Sequence, residues 1–351
     1  MTTENPTDSV SGSRTRESAS SDVKAFIYRI APAVVLFFLS PLFGEFLLGN
    51  LKFSELYLLP FLALLYGAGA LFIREISRRA GRGFPTMLVL AVAYSLIEEG
   101  LVTQLLFNES YFPGQAELSE TYIAAIGIDT WITIIVIGMH TVWSICIPII
   151  LVESLFSNRG TNPWLGTRGL VLSFVIFVFG SVFIGYETYL ETGFMASVPQ
   201  LLGVTTIVGL LVFVAYSNPQ PPDIRVVDVS PNPVLVGGVA FVASSLFMLT
   251  DYLSGWIAVG TCLLIIMIFF IVASPWPHRP EWGALHRLAL TGGGILTYSW
   301  LGLVMDPETG PRSLFDQVGS LLIVCIAIEL FVLAVRKLRT DESNSSTLVN
   351  G

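Results

Sequence analysis

The sequence predicts an all-α fold, a polytopic transmembrane helix bundle of about ten spans with the N-terminus and the C-terminus inside, and three observations carry that expectation. Of 351 residues, 53% are hydrophobic and only 13% charged, with a mean hydropathy of +0.73, far more apolar than a soluble globular domain. The apolar residues fall into runs of roughly 18 to 25, the length that crosses a hydrocarbon layer of about 30 Å at about 1.5 Å per helical residue. Finally, Lys and Arg gather in alternate loops, which fixes the orientation because cytoplasmic segments retain them.

Residues 1–23 (MTTENPTDSVSGSRTRESASSDV) are rich in Ser, Thr and charge, without an apolar stretch, and read as a disordered cytoplasmic tail rather than a signal peptide. Six spans follow within 24–216, near 25–48, 56–75, 85–107, 130–156, 169–188 and 199–216. The segment 217–232, with its prolines and charges, reads as a cytoplasmic linker. Four more spans lie within 233–337, near 233–250, 254–274, 287–304 and 317–337, and 338–351 reads as a second disordered tail. With the N-terminus inside, every basic residue except Lys52 and Arg312 faces the cytoplasm, while the outer loops carry Glu55, Glu109, Glu117, Glu120, Asp129, Asp251, Asp306 and Asp316 among others.

The lipid bilayer is therefore the first expected partner. A net charge of −8 argues against nucleic acid, whose phosphates need a basic stripe. Cys146, Cys262 and Cys325 sit in apolar spans without paired spacing and read as packing residues. Ten spans could be two inverted sets of five, the transporter arrangement. Span three, however, holds an acidic pair while span eight (GWIAVGTCLLIIMIFFIVAS) has no charge, so no repeat is visible. Small residues at Gly67, Gly69, Ala240, Ser244 and Gly292 to Gly294 permit close helix approach.

An ionisable side chain inside a span is costly by about 2.5 to 3.5 kcal/mol on insertion scales, so each needs a partner, a cavity or a function. Glu98 and Glu99 lie about 20 Å along span three from its inner end, and His140 about 15 Å along span four from its outer end, so the three share one depth in the outer half. Adjacent residues point about 100° apart, so the two glutamates cannot meet His140 in the same way. Glu99 shares its face with Ser95 and Thr103, which favours it. A sheltered carboxylate beside an imidazole can polarise water for attack on an amide. The cluster also suits a proton-coupled site for a small solute, or an internal polar pair that only fixes helix packing in a non-catalytic scaffold. No metal site is expected, because zinc needs at least three ligands and His140 is the only histidine within a span. The sequence names no cofactor, and a membrane peptide or a small solute is the ligand class these residues suit.

The stretch AYSLIEEGLVTQLLF (93–107) followed by IGMHTVWSICIPIILVE (137–153) resembles uncharacterised polytopic prokaryotic membrane proteins and, in part, the CAAX prenyl protease (bacteriocin-processing) superfamily. That resemblance implies intramembrane peptide cleavage, with Glu98 and Glu99 matching the acidic pair of EExxxR and His140 the histidine of FxxxH. Thr103 stands in place of the arginine and Val136 in place of the phenylalanine. No third histidine lies in a span, His278 and His286 falling in a cytoplasmic loop.

The remaining charges have plainer readings. Glu45 and Glu187, at outer helix ends, read as interfacial, with a place in the same outer cavity as the acidic pair as the alternative. Glu153 is within reach of Arg159. Arg74, Glu75, Arg78 and Arg79 read as a snorkelling anchor at the inner edge. The outer segment 108–129 reads as a solvated loop, with a lid over the acidic pair as the alternative.

Overall fold

A computed structural model of the chain describes residues 28–108, 119–217, 229–307 and 310–350. The expected N-terminal tail, most of the cytoplasmic linker and the middle of the outer segment 108–129 lie outside the described residues. Among the described residues the fold is all-α, with ten helices: α1 (Tyr28–Leu47), α2 (Phe53–Arg79), α3 (Phe84–Val102), α4 (Thr130–Leu155), α5 (Thr167–Thr192), α6 (Val198–Ser217), α7 (Pro233–Tyr252), α8 (Gly255–His278), α9 (Ala284–Val304) and α10 (Leu314–Asn350). All but α9 are apolar and long enough to cross a bilayer by length and composition alone. α9 has 21 residues and opens on His286 and Arg287, so its hydropathy is diluted, but it is continuous and well buried. A short antiparallel hairpin pairs β1 (Tyr122–Ile123) with β2 (Ile128–Asp129) just before α4. There Asp129 caps α4 by accepting a hydrogen bond from the Ile132 N–H at 2.9 Å.

Burial separates an interior from a lipid-facing rim. Between 50% and 67% of the residues in the spans α1 to α4 are buried, against 11% in α5 and α6, so the first four helices enclose the centre. α5 lies along α2 and α6 along α3, while α9 seals the other side between α7, α10 and the second half of α4. The rim helices expose Leu, Val, Ile and Phe on nearly every face, as lipid contact requires.

Glycines set the closest approaches. Cβ atoms at Gly67 and Gly302 would strike backbone carbonyls, those of Phe37 and Leu47, so α2 and α9 press directly against α1. The Gly292 to Gly294 run does not interrupt α9. It admits the Phe331 ring, the α7 backbone at Gly237 and Phe241, and Ile147. Replacing Gly302 with alanine is expected to destabilise the bundle by about 1 to 3 kcal/mol through overpacking, visible as a lower thermal midpoint in detergent.

The C-terminal segment from 338, expected as a solvated tail, continues α10 as helix to Asn350. Lys337 Nζ meets Asp341 Oδ1 at 2.9 Å one turn on, and Ser157 Oγ donates to Asp341 Oδ2 at 2.5 Å, tying this extension to the loop after α4.

Candidate functional site

Glu98, Glu99 and His140 come together in the interior. Their residues are 1%, 4% and 8% exposed, and that shelter makes their pairing obligatory rather than incidental. His140 Nε2 lies 2.7 Å from Glu99 Oε1 and Nδ1 lies 3.3 Å from Glu98 Oε2. Both glutamates thus meet the imidazole, each through a different ring nitrogen, which answers the 100° divergence expected of neighbours on a helix. Thr103 Oγ1, one turn beyond, donates to Glu99 Oε2 at 2.8 Å, the stripe that made Glu99 the favoured partner.

The backbone explains how two consecutive side chains turn inward. Glu98 opens a π-type turn, Glu98–Val102, inside α3, closed by the Thr103 N–H bonding to the Glu98 carbonyl at 2.8 Å. A wider turn holds more residues per revolution, so neighbouring side chains diverge less. Two further π-type turns face it: His140–Cys146 inside α4 and Leu42–Leu47 at the outer end of α1. Such turns are rare and concentrate at functional positions. Three of them meeting at one cluster is the least expected feature of this fold. Pro148, four residues on in α4, has no N–H to offer the Ser144 carbonyl, and Ser40 Oγ from α1 donates to that carbonyl at 2.5 Å. Ser144 Oγ in turn lies 3.2 Å from His140 Nδ1, and it is Gly44 that leaves room for it.

Around this centre stand three tyrosines the sequence did not single out and one carboxylate, Glu45, that it did. Tyr66 on α2 donates to Glu45 Oε1 at 2.6 Å, and its ring centroid is 5.7 Å from that of His140. Of the two places expected for Glu45, interface or outer cavity, it stands in the shell around the cluster, in the wide turn of α1 and bonded to Tyr66; Glu187 stays exposed on α5. Tyr94 on α3 stands beside Glu98, accommodated by the bare surface of Gly69. Tyr298 on α9 is stacked on Trp143, with centroids 4.2 Å apart and planes 5° from parallel. The Tyr94 and Tyr298 hydroxyls and Glu98 Oε2 are buried without a well-formed hydrogen bond. Orphaned polar atoms are uncommon in a native interior and mark capacity for a polar guest. The donor atoms of Glu98, Glu99 and His140 also lie within 4.8 Å of one another, close enough to share one metal ion. The expectation of no metal counts histidines alone; two carboxylates beside His140 make up a set of three possible ligand atoms.

The inner end of the bundle also departs from expectation. Arg74 and Glu75 are fully buried rather than snorkelling, and Glu153 pairs with Arg74 at 3.0 Å and Arg78 at 2.5 Å instead of Arg159. The loop after α4 folds back over this end and lays Trp164 on Arg74, with the guanidinium carbon 3.7 Å from the ring centroid.

Comparison with known proteins gives one match. No curated protein and no solved structure matches the chain, and nothing found supports the resemblance to the prenyl proteases. The sequence instead matches a family model over residues 34–339, which takes in α2 to α9 whole, most of α1 and α10, and all three residues of the cluster: the chain belongs to an uncharacterized membrane protein family.

Proposed function

We propose that the protein is an intramembrane hydrolase whose reacting centre is Glu98, Glu99 and His140, acting on a peptide bond held within the outer half of the bilayer. The observation that carries this reading is an imidazole flanked by two carboxylates in a sheltered site, Glu99 Oε1 at 2.7 Å from Nε2 and Glu98 Oε2 at 3.3 Å from Nδ1. Glu99 is the general base. It takes a proton from water as the water oxygen bonds to the carbonyl carbon, and the proton passes to the amine nitrogen as the C–N bond breaks. His140 orients Glu99 and shares that proton with the pair of carboxylates. The Tyr94 hydroxyl, without a well-formed hydrogen bond, is the donor available to the developing oxyanion. α4 continues as one helix through His140, and α3 carries both glutamates in its last turn before ending at Val102, which suits a fixed reacting centre better than the discontinuous helices of a transporter.

One observation favours a second reading, proton-coupled transport of a small solute. Glu45, half-buried near the outer end of α1, is linked through Tyr66 toward Glu98, a chain along which a proton could travel from the outer face. The test is purified protein in liposomes given a library of hydrophobic peptides, with products read by mass spectrometry. Cleavage that disappears in Glu99→Gln and His140→Ala variants of normal fold supports hydrolysis. Proton flux without cleavage, lost in the same variants, supports the second reading.

A further inference from the structure

The inner end of the bundle carries more positive charge than its own carboxylates neutralise. Three guanidinium groups, Arg74, Arg78 and Arg79 on α2, gather about two carboxylates, Glu75 on α2 and Glu153 on α4, and a fourth, Arg287, lies in the first turn of α9, which packs along the same half of α4 with Gly294 against Ile147. Both carboxylates are fully engaged. Glu75 Oε1 accepts from Arg74 Nη1 at 2.6 Å and the Trp164 N–H at 2.8 Å, and Oε2 accepts from the Leu165 N–H at 3.1 Å with Arg79 Nε at 3.8 Å. Glu153 Oε1 accepts from Arg74 Nε at 3.0 Å and Arg78 Nε at 2.8 Å, and Oε2 from Arg78 Nη2 at 2.5 Å.

Arg287 is left over. It is partly buried in the first turn of α9, within electrostatic reach of Glu153 and of the like-charged Arg78. Among the described residues its side chain makes no hydrogen bond or ion pair. Arg74 Nη2, fully buried, has no hydrogen-bond acceptor either. Sheltered guanidinium groups in excess of their carboxylates call for an anion. Guanidinium groups on neighbouring helices match the tetrahedral set of acceptor oxygens of a phosphate better than a planar carboxylate.

We propose that the inner ends of α2, α4 and α9 form a phosphate-binding site in which Arg287 and Arg78 hold the phosphate group and the buried Arg74–Glu75–Glu153 network fixes their positions. Phosphate of this kind is presented by an anionic phospholipid headgroup or by free phosphate. The experiment uses the full chain purified in detergent, with thermal unfolding followed on titration with phosphatidylglycerol, with phosphatidylcholine and, separately, with inorganic phosphate. Stabilisation by phosphatidylglycerol but not phosphatidylcholine identifies a lipid headgroup, and stabilisation by inorganic phosphate identifies the free anion. In either case Arg287→Gln should weaken binding by about tenfold or more, the scale of one charge-assisted hydrogen bond. Arg168→Gln, an exposed cytoplasmic arginine outside the cluster, should leave it unchanged. The proposal is overturned if no anion stabilises the wild-type chain, or if the Arg287 and Arg168 variants lose affinity alike, which would reduce the effect to general surface charge.

Discussion

Replacing Arg74 with alanine is expected to destabilise the protein by about 3 to 5 kcal/mol, the cost of stranding a buried charge. Arg74 is 0% exposed and touches Glu75, Glu153 and the Trp164 ring together, so its loss leaves Glu75, also 0% exposed, with the Trp164 and Leu165 N–H groups and no cation nearer than Arg79 at 3.8 Å. It also removes the platform that holds the loop after α4. Thermal or denaturant unfolding in detergent measures the effect. The double variant Arg74→Met with Glu75→Gln should recover much of the loss, because neutral groups of similar volume remove the charge and its uncompensated partner together. A change in Arg74→Ala within about 0.5 kcal/mol of wild type, the range of an ordinary surface substitution, would contradict the burial of this network.

The largest kinetic effect is expected at Glu99. Glu99→Gln should lower the rate of peptide cleavage by about 10²- to 10⁴-fold, the usual contribution of a positioned general base, while the thermal midpoint hardly moves. The separation follows from geometry. Glutamine has the volume of glutamate and can still accept from Thr103 Oγ1 and face His140, but it cannot take a proton from water. Glu98→Gln should cost less, because Glu98 makes the longer contact with the ring, 3.3 Å against 2.7 Å. Equal losses in the two variants would mean that the carboxylates act as one unit. A parallel loss of folding in Glu99→Gln would mean that the residue holds the helices together rather than reacting.

Much of this molecule is legible in its sequence, for reasons that also explain what is not. The helices are legible because lipid forces each crossing to satisfy its own backbone and to be apolar along its length. Glu98, Glu99 and His140 stand out because an ionisable side chain at that depth is costly. Tyr66, Tyr94 and Tyr298 do not stand out, since a tyrosine in an apolar span looks the same whether it packs or donates. Glu45 lies only two residues from the end of α1, where a carboxylate is ordinarily interfacial, and what turns it to Tyr66 is a widened helical turn without a residue signature. The Arg74, Glu75, Arg78, Arg79 pattern is that of an exposed amphipathic edge. Its burial depends on the loop folding back to place Trp164 and Leu165 on Glu75, a long-range contact that local spacing does not encode.

The most direct test of the central claim, that Glu99 and its partners activate water against an amide, is cleavage of a hydrophobic peptide by the reconstituted protein in heavy-oxygen water. Hydrolysis predicts one heavy oxygen in the newly formed carboxylate, delivered by the wild-type chain and lost in Glu99→Gln. Product without label, or labelled product formed equally by the Glu99→Gln variant, would contradict it.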